Sequence, residues 1–426
     1  MQQSNPAPAE AAPRPGVAGG ATVTGVVAWL AFFMLGWRGL LIPSLIRSVE
    51  SQFDQTDAGL GTYFLVAAVI YAAATFLSGT MIRRLGYRWT LGLGGLAISV
   101  GLLVQGVAAT WAVFVLGVVP IAVGSVTSDI GINALVLDLF ATSRGRALNL
   151  LHLAYALAAM CTPVAVAALG VAGVPWQTIV LVSGLAWLAV TAGLVLATPG
   201  RVPPAPRAHA GPAGSTGPGG QVVEPATQVV SALPAASAGP RAMYRDLPLV
   251  LLVLAVAIGC YVASETSVSD WLVRLLADLP VGPASVALTL FWAGISAGRL
   301  VFARLGDRLE PAGAAAAMAL AGAVLMIVAV LAPVSELSLL LFGAVGLAFG
   351  PVYPLIVAAA GARLPGRSAA AVAVLTFAAI LGVIAYPPLV GFLSVTIGLQ
   401  AAMVGAAILA AASGFALVVA RRMPVR

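Results

Sequence analysis

The sequence contains no lysine. All 21 of its basic residues are arginine, and 14 acidic residues join them, so only 8% of its 426 residues are charged. An ordinary soluble domain carries roughly 25%. Cysteine and histidine are equally scarce, with only Cys161 and Cys260, His152 and His209. Each scarcity removes a class of function. Two cysteines inside apolar runs make no disulfide framework and read as small buried hydrophobes. A nucleotide-binding loop needs its lysine, so ATP-driven pumping by this chain finds no support. With so few cysteines and histidines there is no metal-spaced cluster. No Ser/His/Asp set lies near a membrane face either. The chain is therefore read as a non-enzyme without cofactor or metal.

What the chain has in quantity is apolar surface. Hydrophobic residues make up 61%, and mean hydropathy is +1.05. A soluble protein of this make-up could not cover its surface with polar groups. Crossing a bilayer as a helix takes roughly 20 mostly apolar residues. Such runs fall at about 22–46, 58–82, 89–108, 111–138, 147–171 and 175–197, then at 247–268, 283–303, 311–332, 337–360, 368–393 and 398–420. They are continuous and do not alternate, which selects helices over barrel strands. The fold class is therefore an all-α membrane protein of twelve transmembrane helices in two pseudo-symmetric six-helix bundles.

The expected domains follow. Residues 1–21, rich in Ala, Pro and Gly, form a disordered cytoplasmic tail. Residues 22–198 form the first bundle, 199–246 a flexible Pro/Gly/Ala/Ser-rich linker, 247–420 the second bundle and 421–426 a short tail. The first apolar run is long enough to span, so it reads as a retained helix rather than a signal peptide.

A net charge of +7 raises the question of nucleic acid. The arginines are spread through short loops and not along one helix face, so the expected partner is the bilayer and no nucleic acid. With the N-terminus inside, Arg83, Arg84, Arg88, Arg144, Arg146, Arg304, Arg308, Arg363 and Arg367 all lie on the cytoplasmic side, as do the arginines of the linker and tails. The outer loops keep Arg47 and Arg274, among Glu50, Asp54, Asp57, Asp270, Asp278 and Glu336. This positive-inside pattern places both termini in the cytoplasm of a bacterial inner membrane.

The halves also repeat each other. Gly36 and Gly259, Arg84 and Arg308, and Pro163 and Pro388 are separated by 223, 224 and 225 positions. One nearly constant offset describes a parallel six-helix repeat, the symmetry of carriers that rock two bundles about a central site.

The loop after the second helix reads Gly79-Thr80-Met81-Ile82-Arg83-Arg84-Leu85-Gly86-Tyr87-Arg88. It resembles the Gly-x-x-x-Asp-Arg-x-Gly-Arg loop of the major facilitator superfamily, with Arg83 where Asp is usual. The second half has Arg304-Leu305-Gly306-Asp307-Arg308, with Ala303 for the opening Gly. The resemblance implies that Gly79, Arg83, Arg84, Gly86, Arg88, Asp307 and Arg308 belong to loops that move with conformation. Further along stand Asp129-Ile130-Gly131-Ile132-Asn133, Leu148-Asn149-Leu150-Leu151-His152, Tyr261-Val262-Ala263-Ser264-Glu265 and Gly350-Pro351-Val352-Tyr353-Pro354. Together these are similar to the fucose/glucose permease group of sugar:proton symporters. That group's acidic residue on the fourth helix, implicated in proton coupling, matches Asp129. Its acidic residue on the first helix is missing, and Arg38 lies nearby. An arginine there is also similar to organic-anion:proton symporters.

Ionisable groups at membrane depth are costly and therefore candidates for function. Asp129, with Asn133 one turn on, reads as a proton site or as the partner of a permanent ion pair with Arg38. Arg38 reads as a donor fork for substrate or as that counter-ion. Glu265 reads as a second proton or substrate site, or as a solvated helix-end carboxylate. His152, three residues after Asn149, reads as a substrate contact or as a brace between helices. Trp37, Tyr261, Trp292 and Tyr353 are aromatic candidates for packing against a sugar. Trp271, Trp111 and Trp176 suit the membrane interface better. The leading expectation is a monomeric, proton-coupled symporter of a small polar solute such as a sugar. The alternatives are a carboxylate:proton symporter and a drug-type exporter, with sodium as the other coupling ion.

Overall fold

The computed structural model describes residues 15–140, 143–199, 248–305, 308–333, 336–364 and 368–424. Among these, eleven helices are long and apolar enough to cross a membrane. One of them, Asp57–Gly106, has 50 residues. At 1.5 Å per residue that is roughly 75 Å, more than twice the hydrocarbon thickness. Its backbone breaks at Gly86, whose φ of 73° and ψ of 172° lie in a region open essentially to glycine alone. The element is therefore two spans, which makes twelve among the described residues.

In chain order these are α1 (Pro15–Gln52), α2 (57–85), α3 (87–106), α4 (Trp111–Leu139), α5 (Arg144–Val171) and α6 (Trp176–Ala197). The second half supplies α7 (Leu249–Leu275), α8 (Val281–Leu305), α9 (Pro311–Leu331), α10 (Leu337–Arg363), α11 (Ser368–Ile397) and α12 (Leu399–Arg422). α1 begins at Pro15, so residues 15–21 of the expected tail are helical. A proline with its fixed φ and missing N–H suits the first helical turn. The linker expected over 199–246 falls almost wholly outside the described residues, as does Asp307.

Within each half the helices pack closely through small residues. Among the described residues the halves meet mainly where α1 packs on α7, α2 on α11, and α5 on α8. Shifting each helix by six exchanges the second contact with the third, as the repeat in the sequence requires. At one end of the molecule the α2–α11 contact is backbone to backbone. A Cβ on Gly61 would strike the Pro388 carbonyl, and one on Gly391 would strike the Asp57 carbonyl.

The same end carries polar ties between halves. The Arg47 guanidinium of α1 donates to the carbonyls of Leu279, at 2.8 Å, and Ala277, at 3.0 Å, in the α7–α8 connection. Arg274 of α7 forms ion pairs with Glu50 at 2.7 Å and Asp57 at 3.0 Å. At the arginine-rich end the ties among described residues run within a half. Tyr87 donates to Asp138 at 2.7 Å, Arg363 donates to the carbonyls of Arg421 and Met423, and Arg421 pairs with Glu310. The bundles are thus pinned together at the α1–α2 and α7–α8 connections.

α10 is interrupted at Gly350-Pro351. Pro351 and Pro354 lack the N–H groups that would serve the carbonyls one turn earlier. Side chains from neighbouring helices take up freed carbonyls. Tyr261 donates to Phe349 at 2.8 Å and Arg299 to Gly350 at 3.3 Å. Irregular backbone at this depth persists because the protein satisfies it internally.

Candidate functional site

A cavity of about 180 Å³ lies between the halves, close to the pinned end. Its charged lining residues are Arg38 from α1 and Glu265 and Asp270 from α7. Tyr63, Tyr71, Gln105, Tyr155, Ser269 and Trp292 add polar or aromatic surface. The remaining wall is apolar and includes Phe64, Ala67, Val118, Ile121 and Ile380. A smaller cavity of about 20 Å³ adjoins it, lined by Phe32, Leu35, Arg38, Tyr71, Ser125, Asp129 and Tyr155. Arg38, Tyr71 and Tyr155 therefore border both.

Asp129 lies on α4, 4% exposed. The Tyr71 hydroxyl donates to its Oδ2 at 3.1 Å. The Asn133 amide, one turn on, donates to Oδ1 at 2.9 Å and to the Asp129 carbonyl at 3.0 Å. Both oxygens are thus held by neutral donors. The ion pair with Arg38 that the sequence allowed is absent among the described residues. The geometry explains this: Tyr71 stands at Oδ2 and Asn133 at Oδ1, so α2 and α4 satisfy the carboxylate.

Arg38 instead lines the cavity with Asp270, across the α1–α7 contact, without forming an ion pair with it. Its Nε is buried with no hydrogen-bond partner. Asp270 is corrected from an outer-loop residue to a cavity residue, because α7 continues to Leu275. Of the two readings of Glu265, its 2% exposure rules out the solvated helix end. Its Oε2 is buried with no hydrogen-bond partner.

Of the other expected contacts, only Trp292 reaches the cavity. Its ring centroid lies 6.3 Å from that of Tyr155, and its Nε1 is buried without a partner. Trp37 turns away into its own half, where its indole donates to Ser183 at 2.9 Å. His152 is buried edge-on against Phe32, with centroids 5.1 Å apart. Tyr261 is fully buried and serves the α10 break. Tyr353 is buried, Asn149 half-buried and Asn133 occupied by Asp129, and none of the three borders either cavity. Trp271 is no interface residue: it is fully buried, and its indole donates to the Pro387 carbonyl at 2.8 Å.

Among the loop residues, Gly86 makes the reversal between α2 and α3. Arg83 donates to Thr80 at 3.0 Å, Arg88 lies 5.9 Å from the Trp89 ring centroid, and Arg84 and Arg308 are exposed. Gly79 is half-buried.

The sequence reasoning missed Arg299, Asp270 and Tyr71. Arg299 carried the same signal as Arg38, an arginine inside an apolar run. Asp270 was assigned to a loop by a helix end set five residues or more too early. Tyr71 gave no signal, since a lone tyrosine in an apolar run looks like packing.

A sequence model of the Major Facilitator Superfamily matches residues 24–312. No curated protein sequence matches the chain. Among solved structures, it is similar to a bacterial homolog of the human lysosomal transporter Spinster in an inward-facing, unoccupied conformation. The TM-score is 0.73 at 16% identity, covering 96% of this chain and 98% of that one. It is also similar to the Escherichia coli fucose:proton symporter FucP, with a TM-score of 0.57 at 18% identity, covering 96% of this chain and 100% of that one. At these identities the likeness is one of fold.

Proposed function

Because the chain belongs to the Major Facilitator Superfamily, we propose that it is a secondary active transporter that carries a small polar solute, coupled to protons, by alternating access. The observation that carries this reading is the charged cavity between two six-helix halves, pinned at one end and bordered by a buried carboxylate. Two bundles related by a parallel repeat expose a central site to either side by rocking. The arginine map supports an orientation with the pinned end outside and both termini in the cytoplasm of a bacterial inner membrane.

Asp129 is the proton site. When ionised it has no cationic partner among the described residues, and only neutral donors hold it. An unpaired charge at this depth resists movement through the membrane. Protonation removes that charge and lets the loaded bundles rock. Tyr71 reports the state of Asp129 to the cavity, because it borders both chambers. Glu265, buried beside the same cavity, is the second carboxylate available for coupling.

The solute contacts Arg38, Trp292 and the α7 carboxylates, and the working unit is a monomer. The FucP likeness supports proton coupling and a sugar. Arg38, without a partner of its own, favours a solute that carries an anionic group.

The test is transport by protein reconstituted in liposomes, using the solute that binds from a panel of sugars, sugar acids and amino acids. Asp129→Asn is expected to abolish uphill uptake driven by a pH gradient and to keep solute exchange. Full uphill uptake by that variant would remove Asp129 from the coupling mechanism.

A further inference from the structure

We propose that the central cavity takes an amphipathic zwitterion, its anionic group on Arg38, its cationic group on Asp270, and its apolar body against the α2–α4 wall. The proposal rests on the carrier reading above and names the solute of that site.

The observation is an arginine and an aspartate that share a cavity and do not meet. Arg38 and Asp270 both line it, one from each half. Among the described residues neither side chain has a hydrogen bond or an ion pair, and Arg38 Nε is buried with no partner. Groups of this kind at membrane depth are expensive unless paired. The arrangement persists only where something polar enters between them.

The chemistry of the visitor follows from what each class would leave behind. A simple anion satisfies Arg38 but meets Asp270 and Glu265 as like charges. A simple cation does the reverse and meets Arg38. A neutral sugar leaves Arg38 and the α7 carboxylates unneutralised and sets some of its hydroxyls against the apolar stretch of Phe64, Val118 and Ile121. A zwitterion with an apolar body satisfies both charges at once and adds no net charge to the membrane interior. Trp292 Nε1 and Glu265 Oε2, both buried without partners, are further bonding positions for its two ends. An α-amino acid with an apolar side chain has this pattern of groups.

The placement also gives the solute a mechanical role. Bound between Arg38 and Asp270, it bridges the first half to the second. Asp270 lies one helical turn before Arg274, the residue that pins α7 to Glu50 and Asp57. The solute and the outer ties therefore act on one face of α7.

The test uses the full chain in nanodiscs and isothermal titration. L-Alanine, L-leucine, L-phenylalanine and glycine betaine are the zwitterions. For leucine, 4-methylvalerate lacks the ammonium and isoamylamine lacks the carboxylate; L-fucose is the neutral control. At least one zwitterion is expected to bind, with leucine at least tenfold tighter than either single-charge analogue. Arg38→Gln and Asp270→Asn are each expected to weaken it tenfold or more, and the exchanged pair Arg38→Asp with Asp270→Arg to recover part of the loss. The analogue comparison needs only the unaltered protein, so a variant that fails to fold does not decide the matter. Binding of none of the zwitterions, equal binding of an analogue or of fucose, or unchanged binding in both folded single variants overturns the proposal. Counterflow in liposomes separates the two readings. A zwitterion that binds and is not exchanged contradicts the carrier; exchange of fucose alone contradicts the zwitterion and keeps the carrier.

Discussion

Asp129 illustrates what a single residue can do at membrane depth. Its two oxygens accept from Tyr71 and Asn133, groups that can hydrogen-bond to either of its protonation states. Tyr71→Phe removes one of these bonds. Membrane hydrogen bonds contribute about 0.6 kcal/mol on average, so thermal unfolding in detergent should shift only slightly. The same variant should change the pH-gradient dependence of uptake, because Tyr71 joins the Asp129 chamber to the solute cavity. A large drop in melting temperature with unchanged coupling would make Tyr71 a structural brace instead. Asp129 and Arg38 were legible in the sequence because charge inside an apolar run is rare. Their partners were not, since partnership depends on the direction each side chain takes from its helix. Arg38, one of few candidates near Asp129, borders its chamber yet forms no ion pair with it.

At the scale of elements, glycine and proline decide where helices turn and break. Gly86 reverses the chain between α2 and α3 with φ at 73°. An alanine there carries strain of about 1–3 kcal/mol. Gly86→Ala should therefore lower the melting temperature of the purified protein while leaving solute affinity within a factor of two. Unchanged stability would mean that the reversal can be made another way. The interruption of α10 could be anticipated from Pro351 and Pro354. The residues that complete it could not, because Tyr261 and Arg299 come from α7 and α8. Tyr261 thus stood as a sugar-stacking candidate, while its hydroxyl serves a carbonyl of the break. Span number and order were readable from apolar length. The outer limit of α7 was not, because its last two turns carry Ser269, Asp270 and Arg274 and look polar in sequence.

At the scale of the whole molecule, the repeat offset and the arginine map anticipated two bundles, and the contacts between them follow the same symmetry. The pinned end was invisible in sequence, because Arg47, Glu50, Asp57 and Arg274 read as outer-loop charges. In the fold they tie the halves together. Partly exposed ion pairs contribute at most about 1 kcal/mol, yet that amount moves a two-state ratio about fivefold. The ties are therefore strong enough to bias the carrier and weak enough to open. Gly61→Val should act in the same direction as losing them, by forcing α2 from α11 at the Pro388 carbonyl. Faster labelling of a cysteine placed at Ser269, within the cavity, by an impermeant thiol reagent added outside checks this. The most direct measurement of the central claim is the distance between the halves at the pinned end. Nitroxides at Ser51 and Pro283, both exposed, in a chain whose Cys161 and Cys260 are serine, report it by pulsed electron resonance. A short main distance is expected in the otherwise unaltered chain, with growth of a longer population in Arg274→Gln. A single distance that neither Arg274→Gln nor Gly61→Val changes would contradict it.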